Sequence, residues 1–185
     1  LATGSSPAGT GFQKAIPHVA ELPGLDGNVW PVEDVMGRAA RLGKRVIVLD
    51  EGGNWRGCGT AWHLAEAGHE VVIVTPQAMV GRELERSAAD LPLRRRLAAL
   101  GVRFMTESAI TGWQNGGAEV VDLLTGERSH IAADSLVLAT TNRADVSLRE
   151  ELADQGIPAL LIGDAHAPRL AAQAFHDGRK AALRL

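Results

Sequence analysis

Residues 44–75 read KRVIVLDEGGNWRGCGTAWHLAEAGHEVVIVT. The run Val46–Leu49 is continuously apolar, the mark of a strand buried on both faces. A glycine-rich turn follows, then a segment in which Ala61, Leu64 and Ala65 recur at helical spacing, with Gly68 placed to end it. Val71–Val74 is a second buried strand, closing at Thr75-Pro76. Strand, glycine turn, helix and strand is the plan of a dinucleotide-binding unit, in which a helix N-terminus and bare backbone amides lie under a pyrophosphate.

The turn itself departs from that plan. No G-x-G-x-x-G occurs in the chain, and Asp50 and Glu51 stand where the first glycine belongs. With Asp50 in the first position, Gly52 takes the second and Trp55 the third, where a tryptophan would crowd the helix against the strand. Gly57 and Gly59 are expected on a loop longer than usual. Gly52 and Gly53 remain the candidate cofactor-binding residues of the turn, because the second position still allows close backbone approach.

A carboxylate about 4 Å from a phosphate charge costs ~4 kcal/mol at an effective dielectric near 20, roughly a thousandfold in affinity. Either the two carboxylates point away or the site is closed to pyrophosphate. The second strand ends in Thr75-Pro76 instead of the acidic residue that usually holds an NAD ribose. Arg82 suits a 2′-phosphate and equally suits solvent. Three readings stay open: a fold that has lost dinucleotide binding, a site that still takes NAD(P)H through an altered loop, and a site for another ligand. The first is favoured.

Working outward, residues 5–29 are rich in Gly, Pro and Ser and read as a crossing segment. A short helix is expected after Pro31, with Val32, Val35 and Met36 on one face. Asp90-Leu91-Pro92 opens a helix that turns Leu93, Leu97 and Leu100 inward and Arg94, Arg95 and Arg96 mostly outward. Val102–Met105 is a third strand. From 108 to 131 the period changes to two, in short strands separated by Asn115-Gly116-Gly117 and Thr125-Gly126-Glu127, which makes a β-meander. Ser135–Ala139 and Ala159–Ile162 read as two more buried strands, and a last helix begins near Pro168. The fold class is α/β, a doubly wound parallel sheet with an antiparallel β-meander.

The chain has 185 residues and a net charge of −3, which argues against a dedicated nucleic-acid binder. Its single cysteine, Cys58, excludes an internal disulfide and a cysteine metal cluster. The histidines show no ligand spacing, and no metal site is expected. No apolar run reaches the roughly 20 residues that span a bilayer, and no signal-peptide pattern opens the chain, so a cytoplasmic location is expected. The chain starts Leu1-Ala2-Thr3-Gly4 and stops at Leu185 inside what reads as a helix, so it is expected to be a piece of a longer polypeptide.

Three motifs, Ala2-Thr3-Gly4, Asp134–Thr140 (DSLVLAT) and Leu161–Ala165 (LIGDA), resemble the pyridine-nucleotide-disulfide-reductase fold. There an NAD domain is inserted into an FAD domain whose second half closes on a Gly-Asp pair. Leu161–Leu170 (LIGDAHAPRL), Leu42–Leu49 (LGKRVIVL) and Ala65–Val74 (AEAGHEVVIV) more narrowly resemble the C-terminal region of trimethylamine and dimethylamine dehydrogenases. These are multidomain members of the old yellow enzyme (NADH:flavin oxidoreductase) family, close to 2,4-dienoyl-CoA reductase. The resemblance implies three segments: residues 1–42 crossing from an FAD-like domain, residues 43–141 an NAD-binding-like domain, and residues 142–185 the returning C-terminal segment of the FAD-like domain.

It further implies an FMN barrel with a 4Fe-4S cluster outside this chain, where an amine is oxidised or an activated alkene reduced. The fragment alone is then not catalytic. Its partners would be that barrel domain and an electron-transfer protein, in a homo-oligomeric parent. By the same resemblance Gly163 and Asp164 are cofactor-binding residues for FAD or an ADP-like fragment. The plainer reading of Asp164 is a helix cap. Cys58 at a helix N-terminus is a candidate low-pKa thiol, with packing as the plainer role. His166 and Arg169 read as interface or surface groups.

Overall fold

The computed structural model describes residues 1–25, 27–114 and 116–184. It divides into two compact units, Gly9–Thr140 and the pair of segments Leu1–Ala8 and Thr141–Leu185. The larger unit is built on a five-stranded parallel sheet. Its strands are β2 (Val29–Pro31), β3 (Arg45–Asp50), β4 (Glu70–Val74), β5 (Arg103–Met105) and β9 (Ser135–Ala139), in the spatial order β2-β9-β3-β4-β5. In register, Val46 faces Val71 of β4 and Ser135 of β9, and Leu49 faces Val74 and Leu138.

Side chains alternate across this sheet, and both faces are covered, which is why its strands read as continuous apolar runs. Val46, Val48, Val71, Ile73, Val137 and Ala139 share one core with the helices α1 (Val32–Met36), α2 (Trp55–Glu66) and α3 (Asp90–Ala99). Ile47, Leu49, Val72, Val74, Leu136 and Leu138 share a second core with the meander, β6 (Ser108–Gln114), β7 (Gly117–Asp122) and β8 (Arg128–Ala132). The expected fold class holds. The meander takes the face that helices would occupy in a doubly wound sheet.

The crossing segment is irregular but anchored. Gln13, only 1% exposed, donates from Nε2 to the Ile110 carbonyl at 2.7 Å and accepts the Ile110 N–H at 2.9 Å. Leu22 is buried in the meander core, and the Trp113 N–H donates to Pro23 O. The Asn115 part of the expected hairpin turn and the terminal Leu185 lie outside the described residues.

In the smaller unit, β1 (Ser5–Pro7) pairs antiparallel with β10 (Asn142–Ala144), and α4 (Ser147–Asp154) and α5 (Ala171–Ala182) follow. Three expectations are corrected. Ala159–Ile162 is not a strand: its main chain bonds to Leu1, through Leu1 N to Leu160 O and Ile162 N to Leu1 O, and that contact is too short for a ladder. The last helix starts at Ala171, past Pro168, because a 3₁₀ turn at Gly163–Ala165 and an extended stretch intervene. Met36 is exposed; only Val32 and Val35 of α1 enter the core.

Gln13 therefore supplies the pairing that Ile110 lacks from a neighbouring strand. Gln13→Ala strands a buried N–H and a buried C=O, and is expected to cost about 2–4 kcal/mol in urea unfolding.

Candidate functional site

β3 ends at Asp50 and α2 begins at Trp55, so the glycine turn is Glu51–Asn54. Asn54 caps the helix, accepting the Arg56 N–H at 2.9 Å. Asp50 is 1% exposed and folds back into its own turn. Its Oδ1 accepts the N–H of Gly52 at 3.1 Å and of Gly53 at 2.9 Å, and the Cys58 thiol lies 3.3 Å from Oδ2. Gly53 adopts φ +56°, which favours glycine at that corner.

A Cβ on Gly57 would overlap the Asp50 carboxyl group. Gly57, inside α2, is therefore the glycine that lets the helix approach the strand. This corrects the expected register. Asp50 to Gly57 spans seven positions where the fingerprint spans five, so the turn holds two extra residues. Trp55 does not crowd the contact; it is 51% exposed, beside Gly59 on the outer side of the helix. Gly57 and Gly59 are helical, not loop, residues. The signal for Gly57 was present: it continues the Ala61, Leu64 stripe one turn back.

Other residues hold the turn from outside. The Gly53 carbonyl accepts the Glu83 N–H at 3.0 Å, from a 3₁₀ segment at Arg82–Ser87, and the Gln77 carboxamide lies against Gly53. Glu51, also buried, accepts the Lys14 N–H at 3.2 Å. Arg56 donates to Glu33 at 2.9–3.1 Å and to the Thr140 carbonyl. None of Lys14, Gln77 and Glu83 was marked by the sequence, because each acts largely through backbone or by proximity across the fold.

Burial pushes Asp50 above the usual carboxylate range, opposed by the Cys58 thiol and the Gly53 and Gly52 amides. Burial likewise pushes Glu51 up, opposed by Lys14. Cys58 is shifted up by burial and then by Asp50, which favours the packing role over the low-pKa alternative. It is a packed, unreactive thiol.

Gly163 and Asp164 lie in the smaller unit, in the 3₁₀ turn. Gly163 has φ +60° and donates its N–H to Asp177 at 3.3 Å. Asp164 accepts the Ser5 hydroxyl at 3.0 Å and the Arg169 N–H at 3.3 Å. The cap position of α5 is Leu170, so Asp164 is not the cap of that helix. Arg169 pairs with Asp177 at 2.6 Å, and His166 Nδ1 is 3.6 Å from the same carboxylate. Among the described residues no helix is long and apolar enough to cross a membrane.

Two outcomes follow from this geometry. Gly57→Ala drives the helix off the strand and is expected to cost about 1–3 kcal/mol, whereas Gly59→Ala, which meets only the Trp55 ring edge at 3.8 Å, gains up to about 1 kcal/mol of helix propensity in the same denaturation assay. Glu51 carries a folded value raised above its ordinary 4.5, so it takes up a proton on folding, and its contribution to stability is lost as pH rises from about 4.5 through the raised value. Glu51→Gln keeps an acceptor for Lys14 and does not titrate. It is expected to melt above the parent chain at pH about 8, with the gap shrinking toward pH about 4.

The geometry is matched by known proteins. Residues 1–159 match the profile described as pyridine nucleotide-disulphide oxidoreductase. Dimethylamine dehydrogenase of Hyphomicrobium sp. (strain x) is 26% identical, over 98% of this chain and 28% of its own. An NADH oxidase of Thermoanaerobacter brockii is 28% identical, over 90% of this chain and 24% of its own. The solved structure of histamine dehydrogenase from Rhizobium sp. 4-9 superposes with a TM-score of 0.86 at 28% identity, covering 100% of this chain and 30% of that one. The chain thus spans under a third of the length of these relatives. By its sequence match and by the sheet order and meander that carry it, the chain belongs to the pyridine nucleotide-disulphide oxidoreductase family.

Proposed function

We propose that this chain is the C-terminal nucleotide-binding-like portion of a larger flavin-dependent oxidoreductase, of the branch of old yellow enzyme relatives that includes the amine dehydrogenases. In this reading residues 43–141 are the NAD-like domain, residues 1–42 cross from an FAD-like domain and residues 142–185 are its returning segment. Reaction at an FMN, with a 4Fe-4S cluster beside it, takes place in a barrel domain outside this chain. The observation that carries the reading is the apolar surface of the smaller unit. Neither α4 nor α5 has a buried residue, and Leu160, Leu170, Phe175 and Leu183 are exposed, Phe175 by 79%. Large apolar side chains left this exposed call for cover, and the relatives carry more than two thirds of their length outside the matched region.

Asp164 is the residue that fits an inherited nucleotide role. Its carboxylate is oriented by the Ser5 hydroxyl and the Arg169 N–H, and a carboxylate so held accepts from sugar or ribityl hydroxyls. The ligand in this reading is FAD or an ADP-like fragment. The NADH oxidase relative favours a second reading, a module that takes up NAD(P)H and passes hydride to flavin. An acidic electron-transfer protein, a homo-oligomeric parent and a cytoplasmic location complete the first reading.

Full-length protein containing this chain is expected to show a flavin absorbance spectrum and about four iron atoms per chain, and to be bleached by a secondary or primary amine. Colourless, iron-free protein overturns the reading. Asp164→Ala is expected to lower the adenine nucleotide released on denaturation while leaving the FMN content unchanged.

A further inference from the structure

We propose that Asp50 is the residue that excludes pyridine nucleotides from the β3-turn-α2 unit: its carboxyl group is a built-in acceptor seated on the turn amides that a pyrophosphate would otherwise take. The inference rests on the turn alone and holds whichever reaction the full protein carries out.

In a dinucleotide site the glycine turn offers main-chain N–H groups at the positive end of a helix, and the phosphates accept them. Here the Gly52 and Gly53 N–H groups both point at Asp50 Oδ1, at 3.1 and 2.9 Å. The acceptor is covalently attached at the end of the strand, so its local concentration exceeds that of any dissolved nucleotide. The other carboxylate oxygen faces the Cys58 thiol on the second turn of α2. The group is 1% exposed and wedged against Gly57, whose lack of a Cβ is what makes room for it. Asp50 and Gly57 together fill the space that the third fingerprint glycine normally leaves for close helix packing alone.

Three further features close the surroundings. The Gly53 carbonyl is tied to the Glu83 N–H and the Gln77 side chain rests on Gly53, so the chain after β4 folds back over the turn where an adenosine would lie. β4 runs into Thr75-Pro76, which gives no carboxylate for ribose hydroxyls. Arg56, the cation at this helix N-terminus, is turned to Glu33 and the Thr140 carbonyl. A phosphate arriving here would find the Gly52, Gly53 and Arg56 amides engaged and two buried acidic side chains, Asp50 and Glu51, alongside. The residues present do not fit a pyrophosphate.

The test uses the full-length protein and two readouts. Trp55 stands exposed on the first turn of α2 and reports by energy transfer on NADH or NADPH bound at this turn, with Trp55→Phe assigning the signal. The expected result is no saturable, Trp55-dependent signal up to about 1 mM of either nucleotide. A saturable signal within that range, with Asp50 in place, overturns the proposal.

The second readout asks whether the seat accepts a substitute. Asp50→Gly frees the two turn amides. Added formate or inorganic phosphate, at about 50 mM, is expected to raise the melting temperature of this variant by several degrees more than that of the parent protein, through binding to the folded state alone. Equal shifts in the two proteins overturn the proposal. If the variant does not fold, the nucleotide titration of the unaltered protein decides the question.

Discussion

The contact between Gly57 of α2 and Asp50 at the end of β3 sets how closely the helix lies on the sheet, and the helix-side core is laid out from it. The front of α2 presents Gly57, Cys58 and Ala61 to the sheet, all small and all buried. Leu64, nearly two turns along, is the large side chain of α2 that is fully buried there, with Trp62 packed at the edge of the core. A helix that begins with small side chains and then accepts Leu64 shares one core with Val46, Val48, Val71 and Ile73. Had position 57 carried a methyl group, every contact behind it would shift outward. The close approach is the same one a nucleotide-binding turn requires. The fold therefore retains the geometry of a binding site while filling it with its own carboxylate.

Two aspartates at opposite ends of the strands show how setting decides what a charge does. Asp134 precedes β9 and pairs with Arg45 of β3 at 2.6 Å, where Arg45 holds its carboxyl down at about 2. That pair is partly open to solvent and adds little to stability. Asp50, at the other end of β3, is enclosed, and burial drives its carboxyl the opposite way. Its oxygens are satisfied by amides and a thiol instead of a cation. A buried acid with hydrogen-bond donors and no ion pair is costly to keep. It orders the turn in a way an apolar residue could not, because Gly52 and Gly53 would lose their acceptor.

Much of this was legible in the residues. The continuous apolar runs of β3, β4 and β9 announced strands buried on both faces, and the change to period two announced the meander. What periodicity cannot encode is which partner a segment finds. Ala159–Ile162 has the composition of a buried strand, yet its main chain bonds to Leu1 and forms no ladder. Gln13, in a stretch read only as a crossing segment, is the clamp on Ile110. At the turn, the acidic residues were visible and their meaning was not. The spacing rule placed Trp55 against the strand because it assumed a turn two residues shorter. The direction of the Asp50 side chain depends on a rotamer that only the folded turn selects.

The two units differ in how complete they are, and that difference bears on function. The larger unit owns two cores, one on each face of its sheet, and every apolar residue of β3, β4 and β9 is buried in them. It needs no ligand to order its glycine turn, because Asp50 supplies from within what a phosphate supplies elsewhere. The smaller unit has helices with no buried residue and a glycine-aspartate turn whose carboxylate is oriented but not enclosed. A site that has become self-sufficient gives up exchange with solution, whereas an open one keeps it. The physical asymmetry is between Asp164, whose carboxylate is presented as an acceptor, and Asp50, whose carboxyl already holds the Gly52 and Gly53 amides.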